Sequence, residues 1–170
     1  MKINAISILF VLLSATPFTN AQAPTKTLVT FEGKYFGCAS VFVYRASEDK
    51  KRAVIVEADR SALNLSETPQ TFDIASSEYL KVYIDEYAKA NQWWEYCSDE
   101  VDLGASKPTR IPATSGKVTI YISKNPEPTN NYLYKVTVEL KDVSFKPTGD
   151  NFYYLEKTEM KNVLVGWLPG

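Results

Sequence analysis

The chain has 170 residues, of which 45% are hydrophobic and 23% charged, and its 19 lysines and arginines nearly balance its 20 aspartates and glutamates. This composition is typical of a folded globular domain and does not indicate nucleic-acid binding. The sequence contains no histidine, which excludes Ser-His-Asp triads, Cys–His pairs and histidine-ligated zinc sites.

The N-terminus has the layout of a secretory signal peptide. Lys2 precedes an apolar run from Ile6 to Leu13, and small residues follow as far as Ala21. This order of charged, apolar and small residues is the one that export signals use, and the run is too short to span a membrane. We expect residues 1–21 to be removed on export and residues 22–170 to form one secreted or periplasmic domain.

The rest of the chain favours β-strands, because tyrosine, phenylalanine, valine, isoleucine and threonine dominate its apolar segments. Glycine, proline, asparagine and serine separate these segments at short intervals. The predicted strands are Leu28 to Phe31, Tyr35 to Tyr44, Ala53 to Ala58, Thr71 to Ile74, Leu80 to Tyr87, Trp93 to Cys97, Val118 to Ser123, Tyr132 to Phe145 and Asn162 to Leu168.

Alternation of apolar and polar residues supports this interpretation. It is clearest over residues 118–123 and 134–141, where every second side chain is apolar. A period of two buries one face of a strand and leaves the other wet. With no long helical pattern between the strands, the prediction is an all-β fold, an antiparallel two-sheet β-sandwich of Ig-like architecture with about 8–10 short strands.

One segment is ambiguous. Leu80, Tyr83, Ile84 and Tyr87 would also share one face of a helix. The strand interpretation is preferred, because Leu80, Val82 and Ile84 then share a face of the sheet.

Cys38 and Cys97 are the two cysteines of the chain. In an exported protein such a pair is expected to form a disulfide. The alternative, a reactive thiol, has no histidine beside it to lower its pKa.

Two short motifs resemble the opening of chaperone-assembled pilus subunits, namely Thr30-Phe31-Glu32-Gly33 and Gly37-Cys38-Ala39-Ser40-Val41. The resemblance implies an incomplete sandwich and assembly by strand exchange. The C-terminal residues 163–170 depart from that family's pattern, so we assign no family and keep an extracellular assembly subunit as an alternative function.

Aromatic residues provide the candidate binding site. Neighbouring residues of a strand face opposite ways, so one of Trp93 and Trp94 should be exposed, with Tyr87 or Tyr96 beside it. Such a patch can stack on sugar rings or anchor a protein interface. The alternative is aromatic packing across strands. We therefore expect a non-catalytic binding or adhesion module for carbohydrate or a protein surface.

Acidic residues suggest two weaker candidates. Asp99, Glu100 and Asp102 could bind Ca²⁺, although a solvated acidic loop is the preferred interpretation. A small glycoside hydrolase would need two carboxylates facing each other across a cleft. No residue is assigned as catalytic, and no cofactor is expected apart from this Ca²⁺ candidate.

Overall fold

The computed structural model describes residues 25–89, 96–98, 107–126, 133–147 and 151–166. Within these ranges the regular structure is entirely β, and no helix that could cross a membrane is present. The nine strands are β1 (Lys26–Leu28), β2 (Tyr35–Cys38), β3 (Phe42–Ala46), β4 (Arg52–Ala58), β5 (Gln70–Asp73), β6 (Leu80–Glu86), β7 (Thr109–Lys124), β8 (Tyr134–Phe145) and β9 (Phe152–Val165).

The strands form one sheet in the order β1-β9-β8-β7-β6-β4-β3-β2, and β5 joins it by pairing with β7. Every pairing is antiparallel except that of β1 with β9. Short turns favour antiparallel neighbours, whereas parallel strands need longer crossovers. The all-β, mostly antiparallel prediction is confirmed. Its division into two packed sheets stays a prediction.

Strand β7 bends the sheet. Its residues Thr109 to Pro112 pair with β6, whereas residues 117–120 pair with β5. The register of β7 against β8 shifts between these two stretches of β7, where Gly116 has a φ of +123°. A Cβ atom at Gly116 would lie 2.7 Å from the Cα of Val143, so only glycine fits this bend without strain.

The bend curls the sheet until β2, at one end of the strand order, lies against β9. The amide of Gly166 donates a hydrogen bond of 2.7 Å to the carbonyl oxygen of Ala39. A Cβ atom at Gly37 would lie 2.8 Å from Cγ1 of Val163. Strands from the two ends of the sheet therefore meet, and the apolar core lies inside the curl.

The core has the alternation that the sequence predicted. Val118, Ile120 and Ile122 of β7 are buried, as are Val136, Val138 and Leu140 of β8. The alternation predicts that Thr137 faces solvent, but Thr137 is buried. Strand β9 carries an extra residue here, and the amide of Asn162 donates to Oγ1 of Thr137 at 3.2 Å.

Several strand boundaries differ from the predicted ones. Residues 35–44 form two strands, β2 and β3, separated by a turn in which Ala39 has a φ of 52°. Strands β7 and β9 begin at Thr109 and Phe152, well before the predicted starts. The first half of β7 is mostly polar and partly exposed, and such residues carry no hydrophobic signal.

The two uncertain segments before Cys97 have different outcomes. Residues Leu80–Glu86 form strand β6, so the helical alternative is wrong. The predicted strand from Trp93 to Cys97 is incorrect at its end, because Tyr96 and Cys97 form a turn. Residues 93–95 lie outside the described residues, as do residues 1–21, the predicted signal peptide, and residues 167–168 of the last predicted strand.

Candidate functional site

Cys38 and Cys97 form a disulfide, as predicted, with their Cα atoms 5.8 Å apart. This distance lies in the usual range for such bonds. The bond joins the end of β2 to a position 59 residues later in the chain. It therefore fastens the segment that follows β6 to the side of the sheet that faces away from the core.

The outer face of β3, β4 and β6 carries a second apolar cluster. Alternation along β6 points Val82 and Ile84 into the core and Tyr83 and Asp85 outward. We call this surface the outer face. Its buried apolar members are Tyr44, Ala53, Ile55 and Tyr83, with Phe42, Tyr96 and Cys97 packed against them.

Tyr96 covers the outer face. Its ring centroid lies 4.8 Å from that of Tyr44 and 5.5 Å from that of Phe42. Its hydroxyl donates a hydrogen bond of 3.0 Å to Oδ2 of Asp85 and lies 3.2 Å from the hydroxyl of Tyr87. The structure thus brings together the two tyrosines that the sequence singled out, although Tyr87 is only 5% exposed.

Asp85 is fully buried, and Arg110 completes its hydrogen bonding. The guanidinium donates from Nε and Nη2 to the two carboxylate oxygens at 2.9 and 3.0 Å. It also lies over the ring of Tyr83, 3.8 Å from the centroid. Sequence reasoning missed Arg110, because it is brought to Asp85 only by the pairing of β6 with β7.

Burial sets the protonation of this cluster. It raises the pKa of Tyr96, and the hydrogen bond with Tyr87 and the charge of Asp85 raise that pKa further. Burial also raises the pKa of Tyr87 and of Tyr83, whose hydroxyl donates to Glu57. The hydrogen bond to Asp85 raises the pKa of Arg110. At neutral pH the tyrosines are therefore neutral donors, and Arg110 is a cation.

A hollow of about 430 Å³ adjoins this cluster beside Phe42. Glu57, Lys81 and Tyr79 are among its lining residues, and Tyr79 is 50% exposed. The hollow therefore offers an aromatic ring next to groups that donate and accept hydrogen bonds. No sequence pattern distinguishes Tyr79 from the other tyrosines of the chain.

Most of the remaining candidates cannot be placed in the structure. Trp93, Trp94, Asp99, Glu100 and Asp102 lie outside the described residues. In the part of the chain that is described, no group of three or more acidic or cysteine side chains could hold a metal ion. A hydrolase would need two carboxylates that face each other, but the neighbouring Asp85 and Glu86 point apart: Asp85 is bound to Arg110 on the outer face, whereas Glu86 lines a cavity elsewhere.

Comparisons with known proteins identify no family for this chain. No protein-family model matches the chain, and neither the curated proteins nor the solved structures include a match.

Proposed function

We propose that this protein is an exported, non-catalytic binding or adhesion module that recognises carbohydrate. Its recognition surface combines the hollow beside Phe42 with the segment that carries Trp93 and Trp94. The observation that carries the proposal is the fastening of this segment to the outer face by the disulfide and by Tyr96. Export and the two-sheet form of the sandwich belong to the same proposal, and a disulfide is consistent with an oxidising compartment.

The anchoring of Tyr96 supports a role for the tryptophans. Trp94 stands two residues and Trp93 three residues before Tyr96. Both tryptophans are therefore close to the anchored Tyr96 in sequence. A fixed anchor reduces the ordering cost of presenting an indole to a ligand.

The hollow supports carbohydrate as the ligand. Sugar rings have apolar faces that stack on aromatic side chains and hydroxyl groups that both donate and accept. The exposed ring of Tyr79 lies beside Glu57 and Lys81, which supply an acceptor and a donor. A protein surface could use the same aromatic anchors, and the experiment distinguishes the two.

The test is a binding assay with the purified mature protein on insoluble cellulose and chitin. The test variants are Trp93→Ala, Trp94→Ala and Tyr79→Ala. The control is Tyr154→Ala, which removes an aromatic side chain on β9. Retention should fall for Tyr79→Ala and for at least one tryptophan variant, and stay unchanged for Tyr154→Ala. The carbohydrate proposal is refuted if every variant is retained as well as the unaltered protein. It is also refuted if the unaltered protein is not retained on either polysaccharide.

A second candidate, the extracellular assembly subunit, is favoured by β1. This strand has three residues, all exposed, and adds to β9 as a parallel edge. A short exposed edge strand can be exchanged between copies. Sedimentation of the mature protein separates the candidates, since a binding module sediments as a monomer, whereas strand exchange gives assemblies that vanish when residues 22–28 are deleted.

A further inference from the structure

A second cavity, which we call the end cavity, lies at the other end of β4 and β6 from the hollow. Its volume is about 540 Å³. Inward positions along these strands are apolar through the core, as at Val54 and Ile84. At this end the inward positions are occupied by Arg52 and Glu86, and both residues line the cavity. Polar groups therefore replace the aliphatic core at one mouth of the curled sheet.

The polar groups of the end cavity converge. The hydroxyl of Tyr153 donates a hydrogen bond of 3.2 Å to Oε1 of Glu86. Nε of Arg52 lies 3.9 Å from the same oxygen, which is beyond hydrogen-bond distance. The guanidinium lies over the ring of Tyr153, 5.5 Å from its centroid. A cationic donor and an anionic acceptor thus stand side by side without a direct hydrogen bond between them.

Three more polar side chains, those of Thr27, Thr109 and Asn151, line the same cavity. They can donate and accept hydrogen bonds but carry no charge. Among the described residues of the lining there is one cation and one carboxylate, so a ligand with net charge would be repelled by one of the two. A volume of about 540 Å³ falls in the range of small-molecule sites.

We propose that the end cavity binds a small neutral polyhydroxylated molecule of the size of a disaccharide. A pair of adjacent hydroxyl groups can accept from the guanidinium of Arg52 and donate to the carboxylate of Glu86 at the same time. Such a ligand would bridge the 3.9 Å gap. This site is separate from the outer face and does not depend on the carbohydrate proposal made for it.

The test is an NMR titration of the isotope-labelled mature protein. The probes are maltose, cellobiose and lactose, with glucosamine and glucuronic acid as positively and negatively charged sugars. We expect at least one neutral disaccharide to shift the amide signals of Glu86, Tyr153 and Asn151. Glu86→Gln and Arg52→Met should each weaken this binding about tenfold or more.

The matched control is Glu139→Gln, a carboxylate that contacts Lys157 at 2.9 Å on β8 and β9, and it should leave binding within about twofold. Trp94→Ala should also leave these shifts unchanged, which separates this site from the outer face. The proposal is overturned if no neutral disaccharide moves these signals, if a charged sugar binds more tightly than every neutral one, or if Glu86→Gln binds like the unaltered protein.

Discussion

Replacing Arg110 by methionine would remove the cation from a fully buried carboxylate. Asp85 has no exposed surface and accepts two hydrogen bonds from Arg110 and one from Tyr96. Methionine keeps much of the packing on the ring of Tyr83, so the variant isolates the loss of charge and donors.

The expected cost follows from the burial of Asp85. Removing one partner of a buried ion pair costs about 3 to 5 kcal/mol, because an uncompensated charge is left behind. The side chain of Arg110 is itself 55% exposed, so water can partly replace it. We therefore expect Arg110→Met to lower the free energy of unfolding by about 3 kcal/mol.

A double variant tests the reason for this cost. Asp85→Asn combined with Arg110→Met has no buried charge, and its amide still accepts from Tyr96. We expect it to be more stable than Arg110→Met alone by about 1 to 2 kcal/mol in urea unfolding.

Arg52→Met is the control. Arg52 lies 3.9 Å from a partly exposed Glu86, and its replacement should cost less than about 1 kcal/mol. If Arg110→Met costs no more than Arg52→Met, or if the double variant is the less stable one, the uncompensated charge is not the cause.

Three further outcomes are expected. Cys38→Ser with Cys97→Ser should lower the stability by about 4 kcal/mol in urea unfolding, because the bond closes a long loop, and unreduced intact mass should show two hydrogens fewer than the free thiols. Stability should fall as the pH rises above about 10, by up to about 1.4 kcal/mol per pH unit for each buried tyrosine, because the raised pKa keeps the folded form protonated after the unfolded form has ionised. Tyr96→Phe should make that decline shallower. An unchanged slope would contradict the burial of its hydroxyl. EDTA should leave the melting temperature unchanged, whereas a fall that Ca²⁺ reverses would reveal a structural metal site at the three acidic candidates after Cys97.

Local patterns were sufficient for much of the fold. The alternation in residues 118–123 predicted which side chains are buried, and the pair of cysteines predicted the disulfide. The alternation depends on residues that lie close together in sequence. Two cysteines can form only one intramolecular pair. The predicted strand Leu80 to Tyr87 was right for the same reason, because its apolar residues repeat every second position.

Long-range pairing could not be predicted in the same way. Asp85 and Arg110 lie 25 positions apart, and nothing in either segment specifies the register that joins them. The bend at Gly116 depends on the close approach of Val143, which exists only once the strands have paired. For the candidate site, the sequence singled out Tyr87 and Tyr96 but could not predict that Tyr96 contacts Tyr87, Asp85 and Tyr44.

Because β7 pairs with β6 through one half and with β5 through the other, neither half of the sheet can be completed before this strand is in place. The halves should therefore not unfold separately, and one cooperative transition is expected with every probe. Most contacts join residues that are distant in sequence, which places folding in the millisecond-to-second range of β-rich domains. During that interval the open edges of β6 and β8 would be exposed to other chains, which makes partly folded molecules prone to aggregate.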